Sequence, residues 1–134
     1  MTTGKPLILV VDDETHILHV VSLKLTNAGY DVVTAEDGEE GLELATTHQP
    51  DLIITDLQMP LMTGLEMCEK LKDREPTADT PVIMLTARGA SISQQQLGRT
   101  SIASVIGKPF SPREILLRVQ ELLNQPQTVE QADD

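Results

Sequence analysis

Five short aliphatic runs, at residues 7–12, 31–35, 52–56, 82–86 and 103–107, alternate with segments patterned for helices. No other feature of the chain constrains its fold as tightly. Most of these runs are continuous rather than alternating, as expected of strands covered on both faces. Parallel neighbours need a crossover between them, and five strand–helix units wind into a parallel sheet flanked by helices on both sides.

The helix starts are readable. Ile17, Val21, Leu25 and Ala28 share one face of a first helix, and Gly29 stops it. Asp37 with Glu40 opens the second. Thr63-Gly64-Leu65-Glu66 and Ser91-Ile92-Ser93-Gln94 both fit a capping box, in which a hydroxyl and a side chain three residues on satisfy opposite backbone donors. Ser111-Pro112-Arg113-Glu114 adds proline at the first helical position, followed by apolar Ile115, Leu116, Val119, Leu122 and Leu123. The segment beginning at Ser91 is the weakest helix. Its middle is Gln94-Gln95-Gln96, so it either shields one sheet edge or moves when a nearby site is filled. Residues 6–124 are expected to form one domain, and 125–134, polar and acidic, a flexible tail.

With 134 residues, one core of good size is expected. Only Tyr30 and Phe110 are aromatic, so aliphatic side chains must fill it. A net charge of −11 argues against nucleic acid, whose phosphates call for a basic surface. Cys68 is the single cysteine and has no internal partner for a disulfide. With no long apolar stretch and no signal-peptide core at the N-terminus, the expectation is a soluble cytoplasmic protein.

The strand ends carry the chemistry. The first run stops at Asp12-Asp13 and the third at Asp56, so parallel pairing would gather three carboxylates on one rim. At about 4 Å and an effective dielectric near 20, each pair would repel by roughly 4 kcal/mol. Either a pKa rises sharply or a divalent cation sits between them. Thr86 ends the fourth run and Lys108 follows the fifth, on the same rim. His16, His19 and His48 fall on helices as surface residues. Cys68 lies on the apolar side of its helix as a small buried hydrophobe.

Taken together, Leu9-Val10-Val11-Asp12-Asp13-Glu14, Asp56-Leu57-Gln58-Met59-Pro60-Leu61-Met62-Thr63-Gly64-Leu65, Leu85-Thr86-Ala87 and Lys108-Pro109-Phe110 resemble the receiver domains of bacterial two-component response regulators. The likeness spans about residues 6–124. It implies a flavodoxin-like α/β fold with strand order 2-1-3-4-5 and a cis Lys108-Pro109 bond. It also implies that Asp56 accepts a phosphoryl group, with Mg²⁺ held by Asp13, Asp56 and the carbonyl of Gln58 and with Asp12 acting through water. Lys108 would balance one phosphoryl oxygen as a point charge, and the Thr86 hydroxyl would donate to another.

Two places depart from that pattern or tune it. Receivers usually carry Tyr or Phe three residues before the lysine; here the residue is Val105, which has no ring to swing inward. The usual small pair before it is replaced by Ser101-Ile102. Gln58 and Arg88 stand two residues after Asp56 and Thr86, where the family adjusts the lifetime of the modified state.

The function expected from the resemblance is a signalling switch. A sensor histidine kinase or a histidine phosphotransfer protein would load Asp56, and the product would alter contacts with another protein, as a monomer or weak dimer. Two other expectations compete with it: a constitutive scaffold that is never phosphorylated, or the receiver portion of a longer regulator. A phosphatase working through an aspartyl intermediate is disfavoured, because Gln58 stands where a second acid would protonate the leaving group.

Overall fold

The computed structural model describes residues 4–87 and 91–132, with side chains through residue 123. Five strands, β1 (Leu7–Val11), β2 (Asp31–Ala35), β3 (Leu52–Asp56), β4 (Val82–Thr86) and β5 (Ile102–Gly107), form one parallel sheet. Their order is β2-β1-β3-β4-β5. The helices are α1 (Thr15–Asn27), α2 (Gly38–His48), α3 (Gly64–Lys72), α4 (Gln94–Gly98) and α5 (Pro112–Ala132), with a 3-10 turn at Glu75–Thr77.

The continuous aliphatic runs still obey the two-residue period of a strand. Ile8, Val10, Leu52, Ile54, Ile83 and Leu85 point to one face, where Leu18, Val21 and Leu25 of α1 and Ile115 and Val119 of α5 meet them. Leu9, Val11, Ile53, Val82 and Met84 point to the other, against Leu42 and Ala45 of α2 and Met67, Cys68 and Leu71 of α3. Both layers are aliphatic, in keeping with the scarcity of aromatic residues.

The helix boundaries follow local hydrogen bonds. Asp37 Oδ1 accepts the Glu40 N–H at 2.7 Å. Thr63 and Glu66 exchange both bonds of a capping box, at 3.1 and 2.9 Å. Ser111 Oγ accepts the Glu114 N–H at 3.1 Å. At α4 the sequence expectation is corrected: the box is Ser93 with Gln96, two residues beyond Ser91, and α4 has only five residues. Ser93-Gln94-Gln95-Gln96 repeats the same pattern, and the later start leaves Ile92 outside the helix, packed on the second core layer. On α1, Leu18 rather than Ala28 completes the buried stripe. The backbone of α5 is helical to Ala132, well past the last apolar pair at Leu122 and Leu123.

Candidate phosphoacceptor and metal site

Strand register brings the site together. Val11 pairs with Thr55 and Asp56 with Leu85, so β1, β3 and β4 end at nearly one level. The pairing runs on past the strands. Asp12 N–H donates to the Ala35 carbonyl at 3.1 Å, Leu57 N–H to Leu85 at 2.8 Å, and Lys108 N–H to Thr86 at 2.6 Å. These bonds fix the backbone that carries Asp12, Asp56 and Lys108. The loop after β3 turns back through Gly64, whose Cα lies against the Asp56 carbonyl so closely that a Cβ would overlap it. Lys108-Pro109 is a cis peptide.

Asp12, Asp13 and Asp56 each offer a carboxylate oxygen within 4.8 Å of the others. Asp12 and Asp56 are buried, and Asp13 is exposed. Lys108 Nζ reaches into the group, 3.1 Å from Asp56 Oδ1 and 3.3 Å from Asp12 Oδ2. Burial pushes the Asp12 carboxyl up to about 6; Asp56 adds to the rise, while the Glu14 N–H and Lys108 oppose it. Burial likewise raises Asp56, reinforced by Asp13 and opposed by Lys108 and the Gln58 N–H. Burial of Lys108 works against its charge, but Asp12, Asp56 and Glu14 outweigh that and hold the ammonium above its ordinary value. One lysine therefore leaves the carboxylates under-neutralised. The donors are hard oxygens with no Cys or His among them, so the cluster can coordinate a divalent cation of the oxygen-loving class.

The remaining sequence candidates take definite places. Thr86 is buried at the end of β4, one residue beyond the Asp56–Leu85 pair. Gln58 is exposed on its side chain and turns its N–H towards Asp56. Val105 lies opposite Met84 on edge strand β5 and is 47% exposed. His16, His19 and His48 are exposed. Cys68 is buried, and burial raises its thiol to about 12, so little thiolate is present at neutral pH. Arg88 lies outside the described residues.

Sequence reasoning missed Glu14. Its Oε1 is 3.2 Å from Lys108 Nζ, making it the third carboxylate on that ammonium. It directly follows Asp12-Asp13, but its place at the start of α1 reads as an ordinary helix-start acid. Leu61 was also missed: it takes a left-handed φ of 70° with its side chain wholly in solvent.

This sheet, ending in this cluster, defines a receiver. The chain matches the response regulator receiver domain family over residues 8–120 and belongs to it. Asp12, Asp13 and Asp56 are the phospho-accepting aspartate cluster of that architecture, which takes up and loses a phosphoryl group on itself rather than turning over a substrate. The DNA-binding dual master transcriptional regulator RpaA of Synechocystis is 42% identical over 127 residues, covering 95% of this chain and 53% of that protein. The alkaline phosphatase synthesis transcriptional regulatory protein PhoP of Bacillus subtilis is 41% identical, covering 87% of this chain and 48% of its own. The chain thus spans about half the length of the curated relatives it matches. Among solved structures, the chemotaxis response regulator CheY4 of Vibrio cholerae superimposes with a TM-score of 0.82 at 35% identity, over 90% of this chain and 100% of that one. The receiver domain of Francisella response regulator 1452 gives 0.80 at 31% identity, over 91% and 99%. Among the described residues, no helix is long and apolar enough to cross a membrane.

Proposed function

We propose that Asp56 is the residue that takes the phosphoryl group and that Mg²⁺ is the ion the cluster holds. The observation that carries this is the position of Asp56: buried, raised in pKa, 3.1 Å from Lys108 and within one ion's reach of Asp12 and Asp13. Asp13, Asp56 and the Gln58 carbonyl would ligate the ion, with Asp12 acting through water. When bound, the ion would neutralise the carboxylates and offset the negative charge of an incoming phosphoryl group.

The Asp56 carboxylate oxygen then attacks phosphorus while the bond from phosphorus to the donor nitrogen breaks, and the donor histidine leaves with its electron pair. Lys108 moves its charge from carboxylate to phosphoryl oxygen, and Thr86 supplies a hydroxyl donor from the neighbouring strand. The donor is a sensor histidine kinase or a histidine phosphotransfer protein, and the setting is the cytoplasm. The modification exchanges the single charge of the carboxylate for a phosphoryl group of about −1.5 to −2, a net gain of roughly one negative charge at the rim. The output is changed contact with another protein, from a monomer or weak dimer.

With Val105 in place of a ring, the response travels through the segment after Thr86 and α4 rather than through β5. Residues 6–124 make the receiver unit, and a polar, acidic extension follows from residue 125, its backbone continuing α5 as far as Ala132. Pro126 supports that division, because it has no N–H to give its helix. A second reading is favoured by the half-length coverage of the relatives: the same receiver as the input portion of a longer transcriptional regulator.

Amide chemical shifts recorded with beryllofluoride and Mg²⁺ test the switch. Changes at the site and through residues 88–110 are expected. Changes confined to the site would leave a receiver-like scaffold, and no change at all would remove Asp56 as acceptor.

A further inference from the structure

Lys108 is shared among three carboxylates, and they are not equivalent. Asp12 and Asp56 are buried partners at 3.3 and 3.1 Å, whereas the Glu14 side chain is 60% exposed and reaches Nζ from the solvent side at 3.2 Å. The backbone of Glu14 is fixed. Its N–H donates to Asp12 Oδ1 at 2.9 Å and its carbonyl accepts the Ile17 and Leu18 N–H groups at 3.0 and 3.2 Å. It stands at the cap position of α1, yet its side chain makes no capping hydrogen bond. A Glu side chain is too long to cap well in the manner of Asp or Ser, and here the carboxylate is turned to Lys108 instead. Glu14 and Lys108 also line one cavity with His16, Ile17, Ala87 and Phe110.

We propose that Glu14 is a positioning residue for phosphoryl uptake. It tethers Lys108 at the mouth of the site, and its own charge restrains the entry of anionic donors. It rests on the reading of Asp56 as the acceptor. Both effects have the same sign for the rate. A carboxylate beside Lys108 repels an incoming phosphoryl dianion and competes for the ammonium that should meet it. Repulsion across a few ångströms of partly wet protein is worth roughly three- to ten-fold in rate. Glu14→Gln keeps an oxygen that can accept from Nζ and removes the charge. Glu43→Gln, an exposed change on α2 away from the rim, alters net charge equally and serves as control.

The experiment measures labelling of the full chain by acetyl phosphate with saturating Mg²⁺, as a function of donor concentration and of salt. Glu14→Gln is expected to label roughly three- to ten-fold faster than wild type and Glu43→Gln at low salt. The gain should lie in the apparent donor affinity and shrink as salt screens the site. A purely structural role for Glu14 would not produce that salt-dependent gain. Equal or slower labelling of Glu14→Gln than of Glu43→Gln overturns the proposal. Absence of label from wild type as well overturns the reading of Asp56 and this inference with it.

Discussion

Gly64 at the start of α3 packs its Cα against the carbonyl of Asp56, leaving no room for a Cβ. Its N–H also donates to Leu57 at 2.9 Å, so the loop after β3 is pinned on both sides of that contact. Gly64→Ala must therefore move backbone at Asp56 itself. The expected cost is about 1–3 kcal/mol, with phosphoryl uptake strongly reduced. Gly98 in α4 is the counterpart, because nothing lies within 4 Å of the position a Cβ would take there. Gly98→Ala should be neutral or stabilising by up to about 1 kcal/mol. Urea unfolding of the two variants checks this, and equal costs would contradict the geometry.

Asp12 gives the metal-free protein an unusual pH dependence. Its carboxyl is raised from 3.8 to about 6, so between those values the folded state holds a proton that the unfolded chain has released. Stability then falls as pH rises through that window, and the full penalty is present above pH 6. The shift, in which the opposing pull of Lys108 is already included, corresponds to roughly 3 kcal/mol. Asp12→Asn keeps an oxygen for the Glu14 N–H and removes the penalty. In EDTA it should be more stable than wild type at pH 7 by about 1–3 kcal/mol and should converge with it near pH 4. A wild-type advantage at pH 7 would show that Lys108 already neutralises the site.

Leu61 holds a left-handed backbone without any packing return, since its side chain is wholly exposed. Asn tolerates that region and a β-branched residue does not. Leu61→Asn should raise stability by about 0.5 kcal/mol, and Leu61→Val should lower it by about 1 kcal/mol. Thermal unfolding of the pair would contradict the assigned φ if the order were reversed.

Most of the fold and the cluster was legible because both depend on local pattern. Aliphatic runs mark strands, and a carboxylate where a run stops marks a rim; Asp12 and Asp56 needed no more than that. The failures came where alternatives were locally equal. Ser91 and Ser93 head the same capping pattern, and only the packing of Ile92 decides between them. Ala28 and Leu18 both fit a helical face, and the choice depends on where the sheet lies under α1. The tether of Glu14 to Lys108 joins residues 94 apart in sequence and arises only once five strands are in register. The backbone of α5 beyond Leu123 follows no apolar pattern, so nothing in the sequence marked its continuation.

Whether Asp56 carries the phosphoryl group with the help of a divalent ion is decided by intact mass. Wild type and Asp56→Asn are incubated with acetyl phosphate, with and without Mg²⁺, and weighed. One phosphoryl group is expected on wild type, dependent on Mg²⁺ and absent from the variant. A label that persists on Asp56→Asn, or a wild type left unmodified under conditions that label an ordinary receiver, would contradict that assignment.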